Sequence, residues 1–211
     1  IRISITGADT KLSYDSFDGG SCNVPDTVVT LGLGVKMNNI PTLSVGSVEL
    51  GEGAKGIILT DDADYPYAVS DKTSLSAKPY FSLTLYSDFT LNLCFRESEA
   101  HNIVKVTVGG VSIEPFTANG MVFYPIKDIA AYNAAETKEI EVDYLMEGIK
   151  LSTTLEYSVV DYAKGLLAST FSTESKEMIA RAIDYVKLAY EYAGESVPTS
   201  VTEILSSDAY K

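Results

Sequence analysis

Residues that could do chemistry are few in this 211-residue chain, which has one histidine, two cysteines and no tryptophan. The histidine, His101, lies in the charged stretch 96–102. A general base or metal ligand needs partners held in a cleft, and nothing in the surrounding sequence predicts one. We therefore interpret His101 as a solvated loop residue. The sequence predicts no catalytic residue and a protein that is not an enzyme.

The densest acidic cluster is formed by Asp61, Asp62 and Asp64, with Asp71 nearby. Carboxylates are the hard oxygen ligands that calcium prefers, and calcium often stiffens extracellular loops. The cluster lacks the glycine and the distant glutamate of an EF-hand loop. A solvated acidic loop is the interpretation we favour. We expect no cofactor, and calcium is the one ion that these residues could hold.

Two pairs of glutamates raise the question of glycoside hydrolysis, which uses two carboxyl groups. The pairs are Glu97 with Glu99 and Glu139 with Glu141. Residues two apart on a strand share one face, and these residues alternate with apolar ones. The pattern is typical of a wet outer sheet face and gives little support to a hydrolase.

Three tyrosines, Tyr65, Tyr67 and Tyr80, cluster around Pro66 and Pro79 in loop-like sequence. Flat amphipathic rings in loops are common contact residues for a protein or a sugar. They are the candidate binding residues. Whether they contact a ligand or pack within the fold stays open at this point.

Charge excludes several classes of partner. Lys and Arg total 16 and Asp and Glu total 29, so the net charge is −13. This charge argues against nucleic acid and anionic membrane surfaces. No apolar run approaches the roughly 18 residues of a membrane span, so we expect no membrane insertion by this segment. The chain begins with an alternating apolar run and no initiator methionine, and we expect it to be a piece of a longer protein.

The elements that must position these residues begin with three hairpins, predicted from apolar residues at every second position. The first occupies 80–95 and turns at Ser87 and Asp88; the second occupies 104–113 and turns at Gly109 and Gly110; the third occupies 140–155 and reverses near 147–148. Such regular spacing predicts a mainly β fold, an antiparallel β-sandwich that is Ig-like or jelly-roll-like. Residues 80–157 form this part.

The first 79 residues have a different sequence pattern from residues 80–157. Glycine-rich sequence there predicts short strands and long loops, either as a separate small β domain or as part of the same sandwich. Cys22 lies in this region. The alternation in 89–95 places Cys94 with Thr90 and Asn92, away from the apolar face, so two separate thiols are favoured over a disulfide.

Near Tyr157 the apolar period changes from two to about 3.6, so residues 158–211 are predicted to form C-terminal helices packed on the β domain. A short helix carries an apolar face that includes Val159 and Leu167. A longer one begins at Ser172 or Thr173 and stops at Gly194. Ser200 and Glu203 have capping-box spacing before a last short helix. Tyr185 and Tyr192 lie off the main apolar stripe, and we expect them to pack against the sheet.

The strand pair in 81–92, the closing segment 155–163 and the helix 179–192 together resemble a known kind of module. It is a β-sandwich-plus-helices module of large, secreted, multi-module surface proteins of Gram-positive gut bacteria. The resemblance covers a little over half of the chain. It implies an extracellular location, at the cell surface or secreted, and it carries no catalytic signature.

The function we expect is therefore a non-enzymatic extracellular module of a bacterial surface protein that mediates adhesion or protein binding. Its partner is a host or bacterial surface protein. The alternative is a carbohydrate-binding module of a secreted polysaccharide-degrading system. The absence of tryptophan counts against this alternative, because stacking on sugars usually draws on the largest aromatic rings.

Overall fold

A computed structural model describes residues 11–13, 16–17, 22–37, 43–65, 67–72, 77–146 and 149–207. Strands are the commonest element among these residues, and three of the four described helices follow at the C-terminal end. The strands in the described residues are β1 (Lys11–Ser13), β2 (Ser16–Phe17), β3 (Cys22–Leu31), β4 (Lys36–Met37), β5 (Leu43–Leu50), β6 (Gly56–Leu59), β7 (Tyr67–Ser70), β8 (Tyr80–Leu85), β9 (Phe89–Arg96), β10 (Ile103–Val108), β11 (Val111–Ser112), β12 (Phe116–Ala118), β13 (Met121–Ile129), β14 (Lys138–Met146) and β15 (Ile149–Tyr157). The helices are α1 (Glu97–Ala100), α2 (Val159–Leu167), α3 (Thr173–Ala193) and α4 (Thr199–Ser206), with one 3₁₀ turn at Ala131–Asn133.

All three predicted hairpins are present. Strand β8 pairs with β9, β10 with β11, and β14 with β15, each antiparallel. In the second hairpin Gly109 and Gly110 have φ angles of 56° and 78°, as a two-residue turn of this kind requires. The reversal near 147–148 lies outside the described residues. Apolar alternation therefore located these strand pairs correctly.

A fourth hairpin joins β12 to β13 and was not predicted. Its turn is Asn119 and Gly120, with φ angles of 51° and 72°. The two strands pair from Phe116 opposite Phe123 to Ala118 opposite Met121. Asn-Gly between alternating apolar and polar residues is the strongest short-range signal for a hairpin, so the sequence did indicate a turn at Asn119 and Gly120.

Two four-stranded antiparallel sheets contain these hairpins. Their strand orders are β12-β13-β9-β8 and β11-β10-β14-β15. The chain changes sheet after β9, after β11 and again after β13. Both sheets are therefore built from segments that interleave along the sequence.

Strand β9 is buried on both of its faces. Phe89, Leu91, Leu93 and Phe95 are buried on one face, as alternation predicts. On the other face, where the prediction placed Cys94 away from the apolar residues, Asn92 and Cys94 are buried as well, at 4% and 2% exposure. Strands β8 and β13 flank β9, and the side chain of Asn92 donates hydrogen bonds to Ser82 and Thr84 of β8.

Strands β1 to β5 do not follow the antiparallel prediction. β1, β3 and β5 form a sheet in which both pairings are parallel, and β2 pairs with β4 in parallel in a second sheet. Only β4-β7 and β7-β6 are antiparallel there. The prediction of short strands is also wrong for β3 and β5, which have 10 and 8 residues. Successive strands from β1 to β5 alternate between the two sheets, so a strand in the other sheet supplies the crossover that parallel pairing needs.

One contiguous cluster of buried apolar side chains runs through the described residues. It includes Leu31 and Val69 from the first strands, Phe95 and Tyr144 from the later sheets, and Ile183 from α3. At the contact between the first strands and β15, the hydroxyl of Thr153 donates a hydrogen bond to the carbonyl oxygen of Lys55. The division of the chain at residues 79 and 157 stays a prediction.

The change from strand to helix falls where the period changes, with β15 ending at Tyr157 and α2 beginning at Val159. Ser158 forms a capping box with Asp161 that was not predicted: Ser158 Oγ accepts from the Asp161 N–H, and an Asp161 carboxylate oxygen accepts from the Ser158 N–H. The predicted apolar face of α2 is buried. The structure therefore confirms the predicted change from strand to helix near Tyr157.

The ends of α3 are also confirmed, whereas the start of α4 differs. Ser172 caps α3, and Gly194 ends it with a φ of 73°. Helix α4 begins after Pro198 without a side-chain cap, so the capping box assigned to Ser200 is wrong. Among the described residues, no helix is long and apolar enough to cross a membrane.

The packing predicted for the two outlying tyrosines of α3 holds for only one of them. The ring of Tyr185 meets Phe89 edge to face, with ring centroids 6.4 Å apart. Tyr192 is 96% exposed, so the prediction that it packs against the sheet is wrong. A long helix can carry two apolar stripes, and periodicity alone does not say which of them faces the core.

Candidate functional site

The three candidate tyrosines lie on two different sheets. Tyr67 begins β7, and Tyr65 precedes it in the loop after β6, where Lys36 Nζ lies 6.0 Å from the centre of the Tyr65 ring. Tyr80 begins β8 in the sheet β12-β13-β9-β8. Lys78 and Arg96 are its cationic neighbours. Tyr80 must therefore be considered with a different set of residues from the other two.

The acidic cluster 61–64 forms a loop that is held by its own hydrogen bonds. Asp62 Oδ2 lies 3.2 Å from Lys36 Nζ, and Asp62 Oδ1 accepts from the backbone N–H groups of Asp64 and Tyr65. The hydrogen bond from Lys36, together with these backbone donors, lowers the pKa of Asp62. Asp61 and Asp64 are exposed. In the part of the chain that the structure describes, no group of three His, Cys, Asp or Glu side chains is placed to hold a metal ion.

The remaining chemical candidates lie on exposed surface. His101 is exposed and its Nδ1 lies 2.8 Å from the carbonyl oxygen of Ser98, as expected for a loop histidine. Glu97 and Glu99 lie on the short helix α1, so their assignment to a strand face is wrong. The physical reason is that β9 ends at Arg96 and the chain turns there toward the other sheet.

Glu139 and Glu141 do lie on a strand, as predicted, on the exposed face of β14. They line a surface depression of about 270 Å³ together with Thr107 and Thr154. Glu141 Oε2 accepts a hydrogen bond of 2.9 Å from the Thr107 hydroxyl. The outer wet face that the sequence predicted accounts for both residues.

Strand register brings Tyr80 into a row with two phenylalanines on the outer face of its sheet. Tyr80 lies opposite Cys94 on β9, Cys94 opposite Phe123 on β13, and Phe123 opposite Phe116 on β12. We call Tyr80, Phe123 and Phe116 the aromatic row. Three strand spacings separate its ends, about 14 Å at about 4.8 Å per strand.

The two phenylalanines of the aromatic row stack on each other. Their ring centroids are 5.0 Å apart and their planes differ by 9°. Two rings lying flat and side by side on a sheet cannot approach so closely, so the rings stand up from the sheet and turn their edges to solvent. Phe116 is 50% exposed. The pair offers an apolar ridge, whereas a flat platform would be needed for stacking on a sugar ring.

Positive charge lies at the other end of the row. Lys78 Nζ is 5.4 Å and Arg96 Cζ is 5.9 Å from the centre of the Tyr80 ring. Both distances are within the range of cation–π attraction. The site thus combines an apolar ridge with two cations, in a chain whose net charge is −13.

A part-buried polar network lies beside the aromatic row on the same face of the sheet. Asn92 Nδ2 donates to the hydroxyls of Ser82 and Thr84, and Cys94 Sγ donates to the carbonyl oxygen of Asn92. Cys94 is a free thiol, and burial raises its pKa. The side chain of Cys22 lies outside the described part of the structure. Because the thiolate is the reactive form, Cys94 is suited to a structural role.

Sequence reasoning found Tyr80 and missed Phe116, Phe123 and Arg96. The missed signal was Asn119-Gly120, which pairs β12 with β13 and thereby sets Phe116 opposite Phe123. Comparison of the chain with protein-family models, with curated proteins and with solved structures finds no match.

Proposed function

We propose that this chain is a non-enzymatic extracellular module of a bacterial surface protein, and that it binds a partner protein through the outer face of the sheet β12-β13-β9-β8. The partner is a host or bacterial surface protein. The aromatic row is the observation that carries the proposal. Location at the cell surface or in secreted form follows from the resemblance of residues 81–92, 155–163 and 179–192 to modules of that kind.

The proposed fold of the scaffold is an immunoglobulin-like sandwich of the two antiparallel sheets. In immunoglobulin constant domains one sheet has the order A-B-E-D and the other contains C, F and G. Labelling β8 as strand A gives the order β8-β9-β13-β12 for A-B-E-D and β10-β14-β15 for C-F-G, with β11 added beside C. This order supports the Ig-like alternative over the jelly roll.

The chemistry of the face supports a protein as the ligand. Tyrosine, phenylalanine, methionine and arginine are enriched in protein interfaces, and energetic hot spots draw on tyrosine and arginine. The face offers all four, because Met121 lies two residues before Phe123 on the same face of β13 and pairs with Arg96. Edges of stacked rings insert between side chains of a partner more readily than they support a pyranose ring.

The test begins with a binding screen of the full chain against immobilised proteins, including immunoglobulins and mucins, and against a glycan array. For the best protein ligand, Phe116→Ala should weaken binding about 10-fold or more, since truncating a hot-spot residue costs about 2 kcal/mol or more. Tyr86→Ala is the matched control, because Tyr86 is an exposed aromatic residue between β8 and β9. It should bind like the unmodified chain.

Two results would overturn the proposal. One is unchanged protein binding by Phe116→Ala. The other is a screen in which only glycans bind and Phe116→Ala or Tyr80→Ala abolishes that binding, which would favour the carbohydrate-binding alternative. Release of reducing sugar from a polysaccharide panel would remove the non-enzymatic part of the proposal.

A further inference from the structure

Helix α3 carries a second apolar stripe, which is mostly exposed although the ring of Tyr185 contacts Phe89. Its core face is formed by Ile179, Ile183 and Val186, which are buried. Nearly opposite them lie four large apolar side chains, each more than half exposed. These are Met178, Tyr185, Leu188 and Tyr192.

The spacing of these residues is that of a coiled-coil seam. With Arg181 included, the sequence intervals alternate between three and four residues from Met178 to Tyr192. Met178, Tyr185 and Tyr192 take the a positions of a heptad, and Arg181 and Leu188 take the d positions. We call these five residues the α3 seam. It spans about two heptads, or roughly 21 Å at about 1.5 Å per residue.

Charged residues border the α3 seam on one side only. Glu177, Asp184 and Glu191 recur every seven residues at the g positions and are exposed. Glu191 also pairs with Lys187 within the helix, at 2.8 Å. The e positions on the other side are the small residues Ala182 and Ala189, which are part-buried against the core. A partner helix on the α3 seam therefore meets a row of carboxylates on one side and the protein's own packed side chains on the other.

A second copy of this chain does not complement the α3 seam. In a parallel pair, d positions face each other, so Arg181 would meet the same arginine of the other copy. In an antiparallel pair, g positions face each other, and the row formed by Glu177, Asp184 and Glu191 would meet an identical row. Both arrangements bring like charges together, which disfavours self-association.

We propose that the α3 seam binds an amphipathic helix of a different polypeptide, with an apolar heptad stripe, basic residues beside that stripe and an acidic residue opposite Arg181. The four exposed apolar side chains supply the contact, and the carboxylates at the g positions select a basic partner. This surface is separate from the aromatic row and does not depend on it.

The probe for this proposal is a designed 21-residue peptide with leucine at a and d positions, lysine at e and g positions, and one glutamate placed to face Arg181. A second peptide has glutamate in place of every lysine. Binding to the full chain is measured by fluorescence anisotropy. We expect the lysine peptide to bind at least 10-fold more tightly than the glutamate peptide.

Two variants locate the binding. Leu188→Asp places a charge in the α3 seam and should weaken binding of the lysine peptide at least 10-fold. Leu59→Asp, at an exposed leucine of β6, is the matched control and should have no effect. Glu177→Lys combined with Asp184→Lys should reverse the preference toward the glutamate peptide, and circular dichroism checks that each variant keeps its helix content.

Several outcomes would overturn the proposal: equal binding of both peptides, binding of neither, or unchanged binding by Leu188→Asp. Analytical ultracentrifugation that finds a dimer which Leu188→Asp dissociates would assign the α3 seam to a second copy. Sedimentation with phosphatidylcholine vesicles, abolished by Leu188→Asp, would assign it to a lipid surface.

Discussion

The hydroxyl of Tyr144 lies in the core of the protein. Its side chain is fully buried, and among the described residues none forms a hydrogen bond with its Oη. A buried unsatisfied polar group costs about 1–3 kcal/mol of stability. Removing the hydroxyl leaves a void of about 15 Å³, which costs only about 0.4 kcal/mol at about 24 cal/mol per Å³. Tyr144→Phe should therefore raise the free energy of unfolding by about 1 kcal/mol at pH 7.

The same residue predicts a pH dependence. Burial raises the pKa of Tyr144 well above its ordinary value, so the folded state retains the phenol proton while the unfolded state releases it near pH 10. The stability that comes from retaining this proton is fully present below pH 10. Above pH 10 the free energy of unfolding falls by about 1.4 kcal/mol per pH unit. Burial also raises the pKa of Tyr124, Tyr157 and Tyr162, which adds to the decline.

Urea denaturation followed by circular dichroism at pH 7 and at pH 11 measures both effects. Tyr144→Phe should shift the midpoint upward at pH 7 and lose less stability between the two pH values than the unmodified chain. Tyr86→Phe, at an exposed tyrosine, should change neither quantity. Destabilisation of Tyr144→Phe by about 1 kcal/mol or more at pH 7 would refute the reasoning, because it would mean that the hydroxyl has a favourable partner.

Three further predictions concern local structure. Asp161→Ala removes the capping box of α2 and should lower the free energy of unfolding by about 1–2 kcal/mol in urea, and no change would contradict that cap. Gly110→Ala meets no neighbouring atom but forces alanine to a φ of 78°, so it should lower the free energy of unfolding by about 1–2 kcal/mol. Gly32→Ala is the control, because it also has no close neighbours and lacks the positive φ, and it should lower the free energy of unfolding by less. The buried thiol of Cys94 should react with an aromatic disulfide reagent at least 10-fold more slowly in buffer than in urea, and equal rates would contradict its burial.

Local sequence patterns located most of the elements and did not determine how all of them assemble. Alternation found the hairpins β8-β9, β10-β11 and β14-β15 but not β12-β13, and Ser172 and Gly194 marked the ends of α3. Parallel pairing of β1, β3 and β5 joins residues far apart in sequence, so no turn signal reports it. Alternation identifies strands without giving their direction.

Strand β13 escaped prediction because Pro125 interrupts its pattern, and proline argues against a central strand. The structure accommodates it because β12 pairs only with Met121, Val122 and Phe123. At Pro125 one side of β13 therefore has no strand partner among the described residues. Because β12 and β13 were not predicted, the sequence did not identify Phe116 and Phe123 as members of the aromatic row.

Hydroxyl-radical footprinting of the full chain, with and without the protein partner found in the screen, tests the central claim most directly. Aromatic rings and methionine react readily with hydroxyl radicals, so the oxidation of residues on the proposed face can be measured directly. Oxidation of Tyr80, Phe116, Met121 and Phe123 should fall several-fold at saturating partner, while Tyr86 reacts at an unchanged rate. Unchanged oxidation of Phe116 and Met121, with protection confined to Tyr65 and Tyr67, would contradict binding through this face.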